Sequence, residues 1–154
     1  MKTLLMLFCL LFSLNSFSQK DAKAKTVLNK FILGYDNEKT LKEKVDMNEL
    51  NYYSFDNDVT RITLNEYVYK QRTIKVVLLL IDNNLYGVRY YPKNDKMLFK
   101  YQDYLDKNFE SKFIKQEWHN NYIQVNYDID GNYNESFVHY DIELLKKYPQ
   151  YKDF

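Results

Sequence analysis

The residues of this chain best suited to chemistry run from Asn126 to Phe137, in the order Asn-Tyr-Asp-Ile-Asp-Gly-Asn-Tyr-Asn-Glu-Ser-Phe. The run resembles a calcium loop of the D-x-[DN]-x-[DN]-G type. Oxygen-bearing side chains fall at loop positions 1, 3, 5 and 9, and Gly131 stands at position 6, where the chain must turn sharply. Asp128 and Asp130 are the candidate metal ligands. Two departures count against the motif: position 1 is Asn126, which gives up a charge, and position 12 is Phe137 instead of a bidentate Glu. Strand alternation explains the same residues. Ile123, Val125, Tyr127 and Ile129 share one parity, and Tyr133, Phe137 and His139 continue it. A three-residue loop keeps odd residues opposite odd ones, and it gathers Gln124, Asn126, Asp128, Asn132, Asn134 and Ser136 on the solvent side. A two-residue Asp130-Gly131 turn would mix the faces. A hairpin tip is therefore the first expectation and a calcium loop the second.

Glu117, His119, His139 and Asp141 form a second candidate. Each pair is spaced i, i+2 and so shares a strand face. Brought together, the four could make a His/carboxylate metal site. His119 falls in an expected turn, however, and His139 continues an apolar parity. Structural histidines are the plainer reading. The serines Ser54, Ser111 and Ser136 lie outside any nucleophile-elbow context. The three glycines are scattered and form no phosphate-binding loop. Asn134-Glu135-Ser136 is a glycosylation sequon, relevant only in a host that glycosylates. Neither a catalytic set nor a cofactor is expected.

The first 18 residues are read as an export signal. Lys2 supplies the positive charge, Leu4–Leu14 is apolar apart from Ser13, and Ser16 and Ser18 are small residues placed for cleavage before Gln19. The apolar segment is shorter than the about 17–25 residues that span a bilayer. Cys9 fits a lipoprotein signal poorly, because Phe8 precedes it and it sits inside the apolar segment. Removing residues 1–18 from 154 leaves 136, enough for one domain with a real core. The only cysteine leaves with the signal, so the mature chain has no disulfide. Lys2 leaves as well, and 21 basic residues then face 21 acidic ones. That balance argues against nucleic acid as a partner. No second apolar stretch is long enough for a membrane span. The 16 tyrosines, like the many Asn and Lys, have A/T-rich codons, so their number is weak support for a binding surface. Amphipathic rings filling a sheet core account for them equally well.

Positioning falls to the elements around Thr73–Tyr91. Val76–Ile81 is an unbroken apolar run, followed by the turn cluster Asp82-Asn83-Asn84 and by Leu85–Tyr91. Two antiparallel strands are expected, the first buried on both faces and hence central. Ahead of them, Ala24, Val27, Leu28, Phe31, Ile32 and Tyr35 recur at helical spacing, with Gly34 as a cap. Thr40-Leu41-Lys42-Glu43 matches a capping box for a short second helix. Asn48–Phe55 reads as a strand. Val59–Lys70 is taken as another, although Thr63-Leu64-Asn65-Glu66 also matches a capping box. Asn94-Asp95 caps a helix whose face is Met97, Leu98, Tyr101, Tyr104 and Leu105. Strands over Phe113–Trp118, Tyr122–Ile129 and Tyr133–Ile142 follow, then a helical turn over Leu144–Tyr148.

This order predicts an α+β domain over residues 19–154. An N-terminal helix packs on an antiparallel sheet of about six strands, and one further helix is inserted after the central hairpin. The order of elements resembles that of cystatin-like and nuclear-transport-factor-like rolls, in which a helix lies in a curved sheet. The likeness rests on order alone. The functional expectation is an exported, non-catalytic binding domain of the bacterial envelope, secreted or periplasmic, with a protein or small molecule as its partner. The alternatives are a small secreted hydrolase or metal-dependent enzyme using His119 and His139, and an inhibitor or immunity-type protein. An aromatic-lined concavity favours a small ligand, an exposed apolar edge favours a protein, and a buried pocket holding both histidines favours the enzyme.

Overall fold

The computed structural model describes residues 19–45, 50–56, 59–112, 116–130, 132 and 134–151. Its elements are a helical stretch at residues 19–24 (α1), then β1 (Thr26–Val27), β2 (Phe31–Ile32), α2 (Glu38–Lys44), β3 (Leu50–Asp56), β4 (Val59–Tyr69), β5 (Arg72–Ile81) and β6 (Asn84–Tyr91). After these come α3 (Asp95–Asn108), β7 (Glu110–Lys112), β8 (Glu117–His119), β9 (Ile123–Ile129), β10 (Glu135–Asp141) and α4 (Ile142–Lys147), with a 3-10 turn at Pro149–Tyr151. β3 to β10 form one antiparallel sheet of eight strands in the order β3-β4-β5-β6-β10-β9-β8-β7. The α+β class is as the element order predicts, and the sheet is larger than the expected six strands. The strand expected over Phe113–Trp118 is one source of the difference. Residues 113–115 of it lie outside the described residues; among those described, Glu110–Lys112 and Glu117–His119 pair with each other as two short strands, and Gln116 takes a left-handed φ of 49° just before the second.

The apolar run organises the fold as its pattern demands. Val76, Leu78 and Leu80 of β5 join one core, and Val77, Leu79 and Ile81 join another on the opposite face. The first face is covered by β1, β2, α2 and α3, through Val27, Phe31, Leu41, Met97, Leu98 and Leu105. The second is covered by α4 and the 3-10 turn, through Leu144, Leu145, Tyr148 and Tyr151. Because α4 folds back over it, β10 is buried on both faces as well. Ser136, which alternation assigns to solvent, is closed to it.

The expected N-terminal helix over residues 24–35 is not formed. Helical residues end at 24, and β1 and β2 make a small hairpin. Leu28 and Asn29 turn the chain at φ 50° and 60°, and the Lys30 amide closes onto the Val27 carbonyl at 3.1 Å. Spacing of three and four residues marks a helix face, but it also arises when both arms of a tight hairpin bury side chains. Here Val27, Leu28, Phe31 and Leu33 all do. Gly34 takes a left-handed φ of 73°, as a cap would, yet it donates its amide to the Leu85 carbonyl and so extends the edge of β6. Helix α2 starts earlier than the Thr40 capping box implies. Asn37 is the N-cap, and Thr40 is the N3 residue that bonds back to it.

Candidate functional site

Three elements converge on a pocket of about 280 Å³. The β4–β5 hairpin pairs Tyr69 with Arg72 across the two-residue turn Lys70-Gln71. Tyr90 of β6 provides the floor and is only 2% exposed. Helix α3 supplies Met97, Lys100, Tyr101 and Tyr104, whose i, i+3, i+4, i+7 spacing keeps them on one side of the helix. The Asn94 side chain, which accepts from the Met97 amide, fixes where that helix begins. The walls are rings: Tyr101 packs on Tyr90 at 4.7 Å between centroids and on Tyr104 at 5.7 Å. The rim is cationic, with Lys70, Arg72 and Lys100 around the opening and no carboxylate in the lining. Among the described residues none of these three cations forms an ion pair.

Behind the pocket, Tyr101 is locked. Its hydroxyl lies 2.7 Å from Nε2 of His139, and Nδ1 of His139 lies 3.0 Å from the Val88 carbonyl. A carbonyl only accepts, so Nδ1 carries the proton. Nε2 of the neutral ring then accepts from the Tyr101 hydroxyl. Burial favours that neutral state and pulls the His139 pKa down to about 4, only partly opposed by the bond to Val88. Burial likewise pushes the Tyr101 hydroxyl well above its ordinary range and Tyr90 up to about 12. The phenols are therefore neutral donors at physiological pH.

The four residues of the suspected metal site are split between the two faces. Trp118, Val125 and His139 occupy one row of the sheet, and His119, Gln124 and Tyr140 the next. Successive rows face opposite ways, so His139 and Asp141 lie on the first face while His119 and Glu117 lie on the second. His119 is at the sheet margin, with Nδ1 3.0 Å from the Glu110 carbonyl. Asp141 is buried against Lys25 at 2.8 Å. Among the described residues no three His, Cys, Asp or Glu side chains are grouped closely enough to hold a metal ion.

At the β9–β10 hairpin, Ile129 pairs with Glu135 and Tyr127 with Phe137, and the Asp130 amide donates to the Asn134 carbonyl at 3.1 Å. This is the odd-opposite-odd register of a three-residue loop. Gly131 and Tyr133 lie outside the described residues. Both candidate calcium ligands have protein partners. Asp128 meets Arg89 at 2.8 Å. Asp130 accepts from the amides of Asn132 and Asn134 and from the Asn134 side chain, and the Asn134 backbone bond chiefly holds its carboxyl below the ordinary range. Of the serines, Ser136 donates to the Asp128 carbonyl and Ser111 is exposed.

Sequence reasoning missed the tyrosine pocket. Lys70-Gln71 lacks turn chemistry, although both residues take left-handed φ values of 48° and 63°. The usable signal was on α3, where Lys100 lies beside Tyr101 and between Met97 and Tyr104 on an otherwise apolar side. No protein-family model, curated protein or solved structure matches this chain. Among the described residues, no helix is long and apolar enough to cross a membrane.

Proposed function

We propose that this chain is an exported, non-catalytic binding domain of the bacterial envelope, and that its ligand enters the pocket between α3 and the β4–β5 hairpin. The carrying observation is the pocket itself. Four tyrosines line it, and the one in its back wall is fixed by a hydrogen bond to the buried His139. Such a wall is organised before a ligand arrives, which lowers the cost of binding. The volume lies near the lower end of the about 300–1,000 Å³ usual for ligand sites, so a small molecule fits better than a peptide. The enzyme alternative needs His119 and His139 together, and they stand on opposite faces of the sheet. Export rests on the Lys2, Leu4–Leu14 and Ser16–Ser18 pattern.

Two measurements test the reading. Intact mass of the exported protein is expected to place its first residue at Gln19; a retained leader or a lipid on Cys9 sinks the export half. A fragment screen on the chain labelled with 3-fluorotyrosine is expected to move the resonances of Tyr69, Tyr90, Tyr101 and Tyr104. Hits that move only other tyrosines, or no hits at all, sink the binding half.

A further inference from the structure

We propose that this pocket selects small planar anions, an aromatic ring carrying a carboxylate, over neutral or cationic molecules of the same shape. The inference rests on the pocket being the binding site, as argued above. Aromatic walls alone would suggest the opposite ligand, because rings grouped in a cage attract cations through their faces. The rim reverses that preference. Lys70, Arg72 and Lys100 stand around the opening with no acid in the lining and no ion-pair partner among the described residues. A cation entering there meets three like charges. An anion meets three donors that form no ion pair among the described residues, one of which, Lys70, lies over the Tyr69 ring at 5.1 Å, and charge-assisted bonds are the stronger kind.

The positive charge is local. The chain without residues 1–18 has equal numbers of basic and acidic residues, so the cations at this opening are not a sample of a basic surface. The neighbouring cleft of about 510 Å³ shows the contrast. There three acids, Glu66, Asp95 and Glu135, stand among two bases, Lys75 and Lys93, so the charges are mixed and slightly acidic. The ring preference comes from the walls. Tyr101 spends its hydroxyl on His139, so what it offers a ligand is the ring. Tyr90 lies under it as a second ring. A flat apolar body therefore stacks inside while its carboxylate stays at the rim, where Arg72 can grip it with two parallel bonds.

Calorimetric titration of the purified chain with 2-naphthoate, 2-naphthamide and phenyltrimethylammonium tests this. Expected is 2-naphthoate binding at least about tenfold tighter than the amide, the size of one charged hydrogen bond. The triple variant Lys70→Gln, Arg72→Gln and Lys100→Gln should weaken the acid far more than the amide and bring the two affinities together. Met97→Trp, which fills the pocket, should block both, and melting curves verify that each variant is folded. Amide or ammonium binding as tightly as the acid, still blocked by Met97→Trp, overturns the anion preference and leaves the pocket as the site. Binding of none of the three probes, or binding indifferent to Met97→Trp, overturns both.

Discussion

His139 and Asp141 stand two residues apart on β10, on the same face of the sheet, and are 2% and 1% exposed. The fold treats them in opposite ways. His139 is kept neutral, with both ring nitrogens satisfied by Val88 and Tyr101, neither of them charged. Asp141 is matched with a charge. Lys25 Nζ lies 2.8 Å from Oδ2, while Oδ1 accepts from the Glu143 and Leu144 amides and caps α4. The difference lies in what covers each residue. Over His139 lies α3, which brings aromatic rings. Over Asp141 lies the N-terminal segment, which brings a lysine and Gly34. A Cβ on Gly34 would sit 2.8 Å from Asp141 Oδ2, so the glycine gives the carboxylate its room. Burial alone does not decide whether a titratable group is charged; the partner supplied at the same depth does.

The largest test of this contrast removes the charge from one side. Asp141→Asn can still cap α4 but leaves Lys25 buried opposite a neutral amide, with only the exposed Glu143 carboxylate at 3.4 Å as a charged partner. Breaking a buried ion pair from one side costs about 3–5 kcal/mol, and that loss is expected in urea unfolding. Adding Lys25→Met should recover part of it, since the pair is then gone from both sides. A loss below about 1 kcal/mol in Asp141→Asn would mean that the pair does not tie the N-terminal segment to the sheet.

The next test is pH, where His139 and Lys25, the lysine beside Asp141, answer at opposite ends. The folded pKa of His139 is pulled from 6.5 to about 4, so between those values the unfolded chain takes up a proton that the folded chain refuses. Stability is complete above 6.5 and falls as pH drops toward 4, by about 3 kcal/mol at most. His139→Gln should remove the part of the slope between pH 6.5 and 5, and an unchanged slope would place it elsewhere. For Lys25, burial lowers the pKa, but the bond to Asp141 and the charges of Asp141 and Glu143 outweigh it, and the net shift is upward from 10.5. Its contribution is present below 10.5 and is lost only as pH rises through the folded value.

A smaller effect comes from Tyr101→Phe. The ring stays, and Nε2 of His139 loses its donor. An acceptor stranded in the interior costs about 1–3 kcal/mol. The same variant loosens the back wall of the pocket, so ligand affinity should fall together with melting temperature. A variant as stable as the parent would show that the Tyr101–His139 bond is not what holds the wall.

The legible parts of this molecule are those where one residue pattern had one physical outcome. Val76–Ile81 fits a buried helix by apolarity alone, but its shortness, its β-branched residues and the turn cluster that closes it favour a strand covered on both faces. Asp82-Asn83, at φ 48° and 59°, is the turn its residue types favour. The turn Lys70-Gln71 has the same geometry without the residue types, so nothing local marked it, while β4 read ambiguously because Thr63-Leu64-Asn65-Glu66 also matches a capping box. The N-terminal segment failed differently, since a tight hairpin reproduced helical spacing. The pairs Lys25–Asp141 and Tyr101–His139 span 116 and 38 positions, and no local pattern announces a partner that far away. The tyrosine pocket is hidden for the same reason: its lining comes from a turn, a strand and a helix face.

The smallest expected effect concerns the carboxylates that looked most like a metal site. Asp128 and Asp130 are more open than Asp141, and each has a protein partner of its own: the Arg89 guanidinium for the first, the Asn132 and Asn134 amides for the second. A calcium ion there would have to displace or share those partners without the bidentate Glu that the loop type uses at its last position. Melting should therefore be the same in excess EDTA and in millimolar calcium. Asp128→Asn with Asp130→Asn should lose about 1 kcal/mol, equally in both conditions: Arg89 is buried, but Asp128 is half-exposed and the new amide oxygen can still accept from the guanidinium. A site with calcium tenfold above its Kd would stabilise the parent by about 1.4 kcal/mol, a readable shift. A calcium-dependent rise in the parent that disappears in the double variant would show that the loop exchanges its own amides for a metal. The contrast drawn on β10 would then have a third case, a carboxylate pair completed from outside the chain.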